Sequence, residues 1–362
     1  MTATFLLSFV SAVAFSVSAV HDLGPVTVEV REPVMVFKSD AHRVWFPSVL
    51  QLDTKTLVAN IGRAADEINP DAAESLRAIS KDAGRTWTTP EPWTESGNSW
   101  ARLKDGTCLW LSYLLTYRSE TEAACRVGRS KNGLEYVWAD ATVDLAPLKF
   151  AKAEKGTASL VFHQSILEMD DGSLLATMYG HATGDTSYRS VLLKSTDGGR
   201  TWGLLSTIAY DPSIEGEGPC EPSLVRLANG DLFCMMRVSS SRPMCFTHST
   251  DGGLTWAPLT RMPETHANLS VDPDLILLSE GVLACAAGRP DCWLMLSLDG
   301  QGREWTAPVK VYEGPTTAYS CIRETAPGEL VYIHDVTPAG WEAPKAGVFH
   351  EIHCVPITIT RH

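Results

Sequence analysis

An eight-residue motif that recurs along the chain limits the folds open to it more than any other feature. The motif reads Ser-X-Asp-X-Gly-X-Thr-Trp at residues 80–87, 195–202 and 249–256, with altered copies at 130–133 and 297–305. These residue types suit a hairpin turn, because Asp can bond the backbone ahead of it, Gly can adopt positive φ and Trp can pack back onto the sheet. The motif therefore predicts repeated β-hairpins, in which its Asp residues are structural.

A second repeat alternates with the first and sets the number of units. Each copy has a turn that usually ends in Gly, followed by a short apolar strand. The six copies start at Leu52, Leu103, Met169, Leu227, Leu278 and Thr325. From Leu57 to Leu330 the steps average about 55 residues, which suits a four-stranded antiparallel blade. We therefore expect an all-β fold, a six-bladed β-propeller that forms one domain over residues 20–362.

Composition narrows the partners and the compartment. The formal net charge of −13 opposes binding to nucleic acid or to an anionic membrane surface. The apolar run at residues 5–17 is followed by small residues that suit signal peptidase, so we expect residues 1–19 to be a signal peptide. The protein is then secreted or periplasmic, and a retained anchor is the alternative.

The cysteine pattern gives no sign of a metal or cofactor site. The nine Cys residues form no CxxC or Cys/His cluster of the kind that structural zinc needs, so we expect no metal and no cofactor. Cys234 and Cys285 each lie four residues after the Gly of a second-repeat turn. We expect them to be buried apolar strand residues first and disulfide partners second.

Residues at equal distance from the turns of the second repeat should occupy equivalent places around the axis. Nine residues before the turn stand Phe46, Gly97, His163, Glu221, Asp272 and Tyr319. Seven or eight residues after it stand Arg63, Tyr113, Tyr179, Arg237, Arg289 and Asp335. Charged groups at strand ends need partners or a ligand. We call these two sets of equivalent positions the two columns, and they predict a site at the axis. Their Arg residues favour a carboxylate ligand, or less readily a sulfate.

From about Val34 to Asp335 the sequence resembles the exo-sialidase family. The resemblance implies a six-bladed propeller with Asp-box turns, an arginine triad on the substrate carboxylate, a Tyr nucleophile activated by a Glu, and an Asp acid/base. Tyr319, within Ala-Tyr-Ser-Cys, resembles the nucleophile, and Glu221 resembles its activating base.

The other family roles fall on further residues of the two columns and on one loop. Arg237 and Arg289 resemble the second and third members of the triad. Asp66, close after Arg63, resembles the acid/base, while Asp335 stands where the family has the Glu that steadies the first Arg. Arg63, Arg237, Arg289 and Asp335 are therefore expected at the substrate.

The sequence departs from the family at the first triad Arg. That residue begins an Arg-Ile-Pro motif in the family, and the matching position here is Phe46, followed by Pro47. Arg43 or Arg63 is the alternative source of the missing guanidinium. His163 and Asp272 have no counterpart in the family's mechanism, so we expect both to bind substrate and the sugar to differ from sialic acid.

Three functions are consistent with these residues. The first is a secreted exo-glycosidase that releases a terminal acidic sugar with retention, using Tyr319 and Glu221. The second is a hydrolase or lyase acting on a uronate glycan, with His163 or His181 as acid/base. The third is a non-catalytic glycan-binding propeller. The Tyr–Glu pair favours the first, because a neutral phenol can attack beside an anionic substrate that would repel a carboxylate nucleophile.

Overall fold

The computed structural model describes residues 16–63, 75–93, 97–153, 156–267 and 269–362. In these ranges the chain forms 27 β-strands and includes a 3-10 turn at Glu264–His266. No helix in the described ranges is long and apolar enough to cross a membrane. The prediction of an all-β fold is confirmed.

The chain begins with three strands and then builds its first four-stranded antiparallel sheet. The opening strands are β1 (Val17–Asp22), β2 (Val26–Arg31) and β3 (Val34–Ser39). The sheet that follows consists of β4 (Trp45–Gln51), β5 (Leu57–Gly62), β6 (Ser75–Ser80) and β7 (Glu91–Trp93). Its strands pair in sequence order, as the hairpin repeat predicts.

The next sheet has nine strands and contains two antiparallel groups. The first group comprises β8 (Trp100–Arg102), β9 (Cys108–Leu111), β10 (Thr116–Tyr117), β11 (Glu122–Ser130) and β12 (Val137–Asp144). The second comprises β13 (Leu160–Glu168), β14 (Leu174–Gly180), β15 (Arg189–Ser195) and β16 (Thr201–Ala209). A short parallel pairing between β12 and β16 joins the two groups at their outer edges.

Two further four-stranded antiparallel sheets and a closing sheet complete the fold. One consists of β17 (Cys220–Arg226), β18 (Leu232–Arg237), β19 (Cys245–Ser249) and β20 (Thr260–Arg261). The other consists of β21 (Val271–Leu277), β22 (Leu283–Gly288), β23 (Cys292–Ser297) and β24 (Val309–Tyr312). The closing sheet contains β25 (Cys321–Ala326), β26 (Glu329–Val336) and β27 (His350–Arg361), together with the three opening strands.

The last strand joins the two ends of the chain. β27 pairs with β26 on one side and with β2 and β3 on the other. The strand-like composition of residues 347–359 predicts a closing strand there. The observed strand confirms it, starting three residues later and ending two residues later. Closure of this kind leaves few free sheet edges, as in β-propellers.

Neighbouring sheets pack face to face through apolar side chains. Val49, Ala59 and Ile333 lie in the cluster between the first and closing sheets. Phe233 and Met295 belong to the cluster between the β17–β20 and β21–β24 sheets. All nine Cys residues are buried and free, so the expectation that Cys234 and Cys285 are apolar strand residues is confirmed.

Close to the axis, four pairs of neighbouring sheets are also bonded through a side chain of one sheet's first strand. That side chain accepts a hydrogen bond from a backbone N–H of the neighbouring sheet's first strand, at 2.7–3.2 Å. The acceptor and donor residues are Ser165 and Leu224, Ser223 and Leu275, Asp274 and Ile322, and Cys321 and Val49. These bonds set the distance between the first strands and thus between the residues that face the axis.

The turns of the eight-residue motif, the Asp-box turns, have the structure that their composition predicts. Asp82 accepts hydrogen bonds from the backbone N–H of Thr86 at 2.8 Å, from the Thr86 hydroxyl and from Ser80. Gly84 has a φ of +82°, and a Cβ there would lie 2.9 Å from Cys354 Sγ, so another residue would be strained. Partial burial opposes ionisation of Asp82, but the bonds from Thr86 and Ser80 hold its pKa below the ordinary value.

We predict that Asp82→Ala lowers the free energy of unfolding by about 1–3 kcal/mol at pH 7, because several donors lose their acceptor. Since the folded-state pKa of Asp82 is lowered, this contribution is present above the ordinary Asp pKa and is lost as the pH falls through the folded value. Denaturant unfolding measures the free energy of unfolding at pH 7 and at acid pH. The difference between variant and wild type should be smaller at acid pH. Glu304→Ala, at an exposed position of another such turn, is the control. An undiminished difference at acid pH would contradict the linkage.

Candidate active site

Backbone irregularities at the start of the first strands aim side chains towards the axis. Phe46, Glu221 and Asp272 have φ values of +48°, +47° and +46°, in the left-handed region that non-glycine residues rarely occupy. Each coincides with a shift of register between the first and second strands of its sheet. Bulges of this kind re-aim side chains and are typical of sites.

The predicted nucleophile and base are in contact. The Tyr319 hydroxyl donates a hydrogen bond to Glu221 Oε1, which confirms the predicted proximity of the two side chains. The same oxygen accepts from Arg237 Nη1 at 2.7 Å, and Arg237 Nη1 lies 3.4 Å from the Tyr319 oxygen. The other oxygen, Glu221 Oε2, accepts the backbone N–H of Asp272 at 3.1 Å. Glu221 is only 2% exposed, so its carboxylate is fixed by these three partners.

The two predicted arginines of this region are joined by a serine. Arg237 Nη2 and Arg289 Nη1 donate to Ser240 Oγ at 2.9 and 3.0 Å. Arg289 Nη2 also donates to the carbonyl of Thr317 at 2.7 Å. Arg237 forms a second ion pair, with the exposed side chain of Glu217, at 2.9 Å. Arg237 is thus matched by two carboxylates, whereas Arg289 donates to two neutral acceptors.

His163 and Asp272 form a buried pair beside Glu221. His163 Nε2 lies 3.2 Å from Asp272 Oδ1, and each residue is 3% exposed. Gln164 Nε2 donates to the same Asp272 oxygen at 2.9 Å. His163 Nδ1 is buried and has no hydrogen-bond partner in the described part of the chain. Both predicted residues are therefore at the site, with one polar atom left available.

The electrostatic environment keeps the phenol neutral in the resting protein. Burial raises the pKa of Tyr319 well above its ordinary value, and the Glu221 carboxylate raises it further. Burial also raises the pKa of Asp272, against the opposing hydrogen bond and charge of His163. Burial opposes the charge of Arg237, but the Glu221 carboxylate raises the pKa of the guanidinium. A proton acceptor is therefore needed whenever Tyr319 reacts, and Glu221 is in contact with its hydroxyl.

Asp335 holds the segment that carries Tyr319. Its carboxylate accepts from the Thr317 backbone N–H and the Thr316 hydroxyl at 2.8 Å, from the Thr317 hydroxyl, and from the Phe46 backbone N–H at 3.1 Å. The residue has no exposed surface. This corrects the expectation that Asp335 binds substrate, because all of its acceptor capacity is used by the protein.

The remaining predicted residues lie in several places. Arg63 directly follows β5 and is partly buried, whereas Asp66 lies outside the described residues. His181 packs against the ring of Tyr188 with ring centroids 4.5 Å apart. Tyr113 and Tyr179, from the second column, are joined through their hydroxyls at 3.1 Å.

An axial cavity of about 150 Å3 continues from the site between the first strands. Gln164, Asp272, Asp274 and Arg323 are among its lining residues. Arg323 Nη1 donates to Asp274 Oδ2 at 2.8 Å, so the opposite charges are paired within the cavity. In the described ranges no group of three His, Cys, Asp or Glu residues could hold a metal ion.

The family follows from comparison with known proteins. A model of the BNR repeat-like domain matches residues 104–334. The chain belongs to this family. No curated protein matches it.

Solved structures resemble this BNR repeat-like protein along most of its length. A protein of unknown function from Dyadobacter fermentans has a TM-score of 0.68 and 18% identity, covering 92% of this chain and 99% of that one. An α-L-arabinanase from Penicillium chrysogenum, solved with arabinobiose, has a TM-score of 0.64 and 15% identity, covering 92% and 98%. A Hadza microbial sialidase has a TM-score of 0.61 and 16% identity, covering 89% and 68%. At these identities the likeness shows the propeller fold alone.

Several residues of the site were missed from the sequence of this BNR repeat-like protein. Gln164 adjoins the predicted His163, and its φ of +49° shows that the bulge of this sheet falls one residue later than the repeat spacing implies. Glu217, Ser240 and Trp341 lie in loops outside both columns. Glu217 could have been noticed because it is acidic and lies only four positions before Glu221. No comparable signal marked Ser240 or Trp341.

We predict that Asp335→Asn lowers the free energy of unfolding by about 2–4 kcal/mol, because an amide NH2 replaces one acceptor oxygen among buried donors. Denaturant unfolding measures the loss, and Asp140→Asn, on the exposed face of β12, is the control. Equal stability of the two variants would contradict the positioning role.

Proposed function

We propose that the protein is a retaining exo-glycosidase that releases a terminal acidic sugar from a glycan. The hydrogen bond from the Tyr319 hydroxyl to the buried Glu221 carboxylate carries this proposal. A nucleophile in contact with a fixed base is the arrangement that covalent catalysis requires. The sialidase and the arabinanase among the similar folds support glycoside hydrolysis as the class of reaction.

The reaction proceeds in two steps. Glu221 takes the phenolic proton as the Tyr319 oxygen attacks the anomeric carbon, and the glycosidic oxygen leaves with a proton from an acid, for which Asp66 is our candidate. Arg237 Nη1, 3.4 Å from the phenolic oxygen, stabilises the charge that develops there. Water then attacks the anomeric carbon of the glycosyl-tyrosine and gives a proton to the carboxylate of the acid used in the first step. Tyr319 leaves as its oxygen recovers the proton from Glu221. Two displacements at one carbon give retention.

Arg289 supports the acidic character of the sugar. Its guanidinium is held by Ser240 and by the carbonyl of Thr317, both neutral acceptors, so its charge is left for an anionic ligand. Arg237 lies on the same serine, so the two guanidinium groups are held close together. A planar fork next to the nucleophile suits a carboxylate.

We predict that Tyr319→Phe abolishes turnover and leaves the fold intact, because only the hydroxyl is removed. The measurement uses 4-methylumbelliferyl N-acetylneuraminide and 4-methylumbelliferyl glucuronide at mildly acidic pH, with circular dichroism to check folding. Tyr117→Phe, on β10, is the matched control. Wild-type rates in Tyr319→Phe would exclude the tyrosine mechanism.

We predict that Arg289→Lys lowers kcat/KM for the acidic substrate by about tenfold to a hundredfold, because a charge-assisted fork is replaced by a single ammonium. Arg226→Lys is the control, since Arg226 ends β17 and pairs with the exposed Asp170. An unchanged kcat/KM for the acidic substrate would remove the carboxylate clamp from the proposal.

A second candidate function is a hydrolase or lyase for a uronate glycan in which His163 is the acid/base. The buried, unpartnered Nδ1 of His163 and its contact with Asp272 favour it. His163→Gln separates the two candidates, since the second requires loss of activity in this variant and retention of activity in Tyr319→Phe. The reverse pattern supports the tyrosine mechanism.

We also propose that the nine-stranded sheet represents two blades, one containing β8 to β12 and one containing β13 to β16, so that the propeller has six. We propose export through a signal peptide at residues 1–19, and sequencing the N-terminus of the mature protein tests it. Residues 17–19 lie within β1, the edge strand paired to β2.

A further inference from the structure

Trp341 is a large apolar side chain exposed beside the site. It lies in the loop that joins β26 to β27 and is 49% exposed. Among the described residues, most large apolar side chains are buried between sheets. An exposed aromatic ring at the rim of a site is a common element of ligand recognition.

Several contacts hold Trp341 in one place. Arg43 Nε donates to its backbone carbonyl at 3.1 Å. Its ring lies 5.5 Å from the ring of Trp45 and 5.3 Å from the guanidinium carbon of Arg289. A turn closed by the N–H of Gly340 on the carbonyl of Thr337 precedes it. The ring is thus preorganised before a ligand arrives, which reduces the entropy lost on binding.

Phe46 connects Trp341 to the nucleophile. The ring centroids of Trp341 and Phe46 are 6.0 Å apart, and those of Phe46 and Tyr319 are 4.7 Å apart in an edge-to-face arrangement. The positive φ of Phe46 and the bond from its N–H to Asp335 hold its ring in this orientation. A continuous aromatic surface therefore runs from the exposed rim to Tyr319.

We propose that Trp341 and Phe46 form an aromatic platform that binds the apolar face of the sugar on the leaving-group side of the scissile bond. Sugar rings have a C–H face that packs on aromatic rings, and a polar edge that Arg289, between Trp341 and Tyr319, can reach. Glu221 and Asp272 are buried at the inner end of the site, whereas Trp341 is exposed. The sugar ring over Trp341 is therefore the outer one, on the leaving-group side. The inference rests on the glycosidase function proposed above.

The test compares substrates that share the terminal sugar but differ in the leaving group. The pairs are 3′-sialyllactose with methyl N-acetylneuraminide, and arabinobiose with methyl arabinofuranoside. Trp341→Ala should lower kcat/KM about tenfold for the disaccharide or trisaccharide and leave the methyl glycoside within about twofold. Trp341→Phe should restore most of the loss. Phe349→Ala, in the same loop with its ring under Lys38, is the control.

Two results would overturn the platform. An equal loss on both members of a pair would mean that Trp341 acts through Arg289 or the loop, and no loss on either would mean that it contacts no sugar. If the wild type hydrolyses none of the probes, the glycosidase proposal fails for them, and the platform is tested by binding alone. Calorimetric titration of each probe should then show weaker binding to Trp341→Ala than to the wild type. Equal binding, or none to either protein, would overturn the platform.

Discussion

The arrangement of this protein depends on hydrogen bonds between first strands at the propeller axis. Side chains such as Ser223 and Asp274 accept backbone N–H groups from the next sheet, so that at four junctions a first strand is bonded to its neighbour as well as to its own hairpin partner. An unbonded N–H at this depth would be costly. The geometry of the site follows, because the residues that face the axis are attached to strands whose spacing these bonds determine.

Glu221 joins the parts of the site that come from different sheets. One of its oxygens binds the hydroxyl of Tyr319 and the guanidinium of Arg237, while the other accepts the N–H of Asp272. A buried carboxylate requires such partners. The same contacts that stabilise its charge place a carboxylate on the phenol, so one group stabilises the site and is also the base of the proposed mechanism.

At the position of the first triad arginine of exo-sialidases, this chain has a different side chain. Phe46 stands there, and its backbone N–H still binds Asp335. The side chain contributes a ring to the aromatic surface that ends at Tyr319. The carboxylate that would steady an arginine instead organises the segment that carries Tyr319. In our proposal, recognition is divided between Arg289 and aromatic faces.

The sequence by itself determined the repeating hairpins, the closing strand and the pairing of Tyr319 with Glu221, because turn chemistry and spacing are local and the repeat places equal positions at equal radius. Only the tertiary structure decided that Asp335 is fully bonded within the protein, that the bulge of β13 falls on Gln164, and that Trp341 stands beside Phe46. Bulge offsets and loop paths depend on contacts between sheets that are distant in sequence. Counting residues from each turn of the second repeat therefore identifies which side chains face the axis. Their hydrogen-bond and packing partners are set by how neighbouring sheets pack.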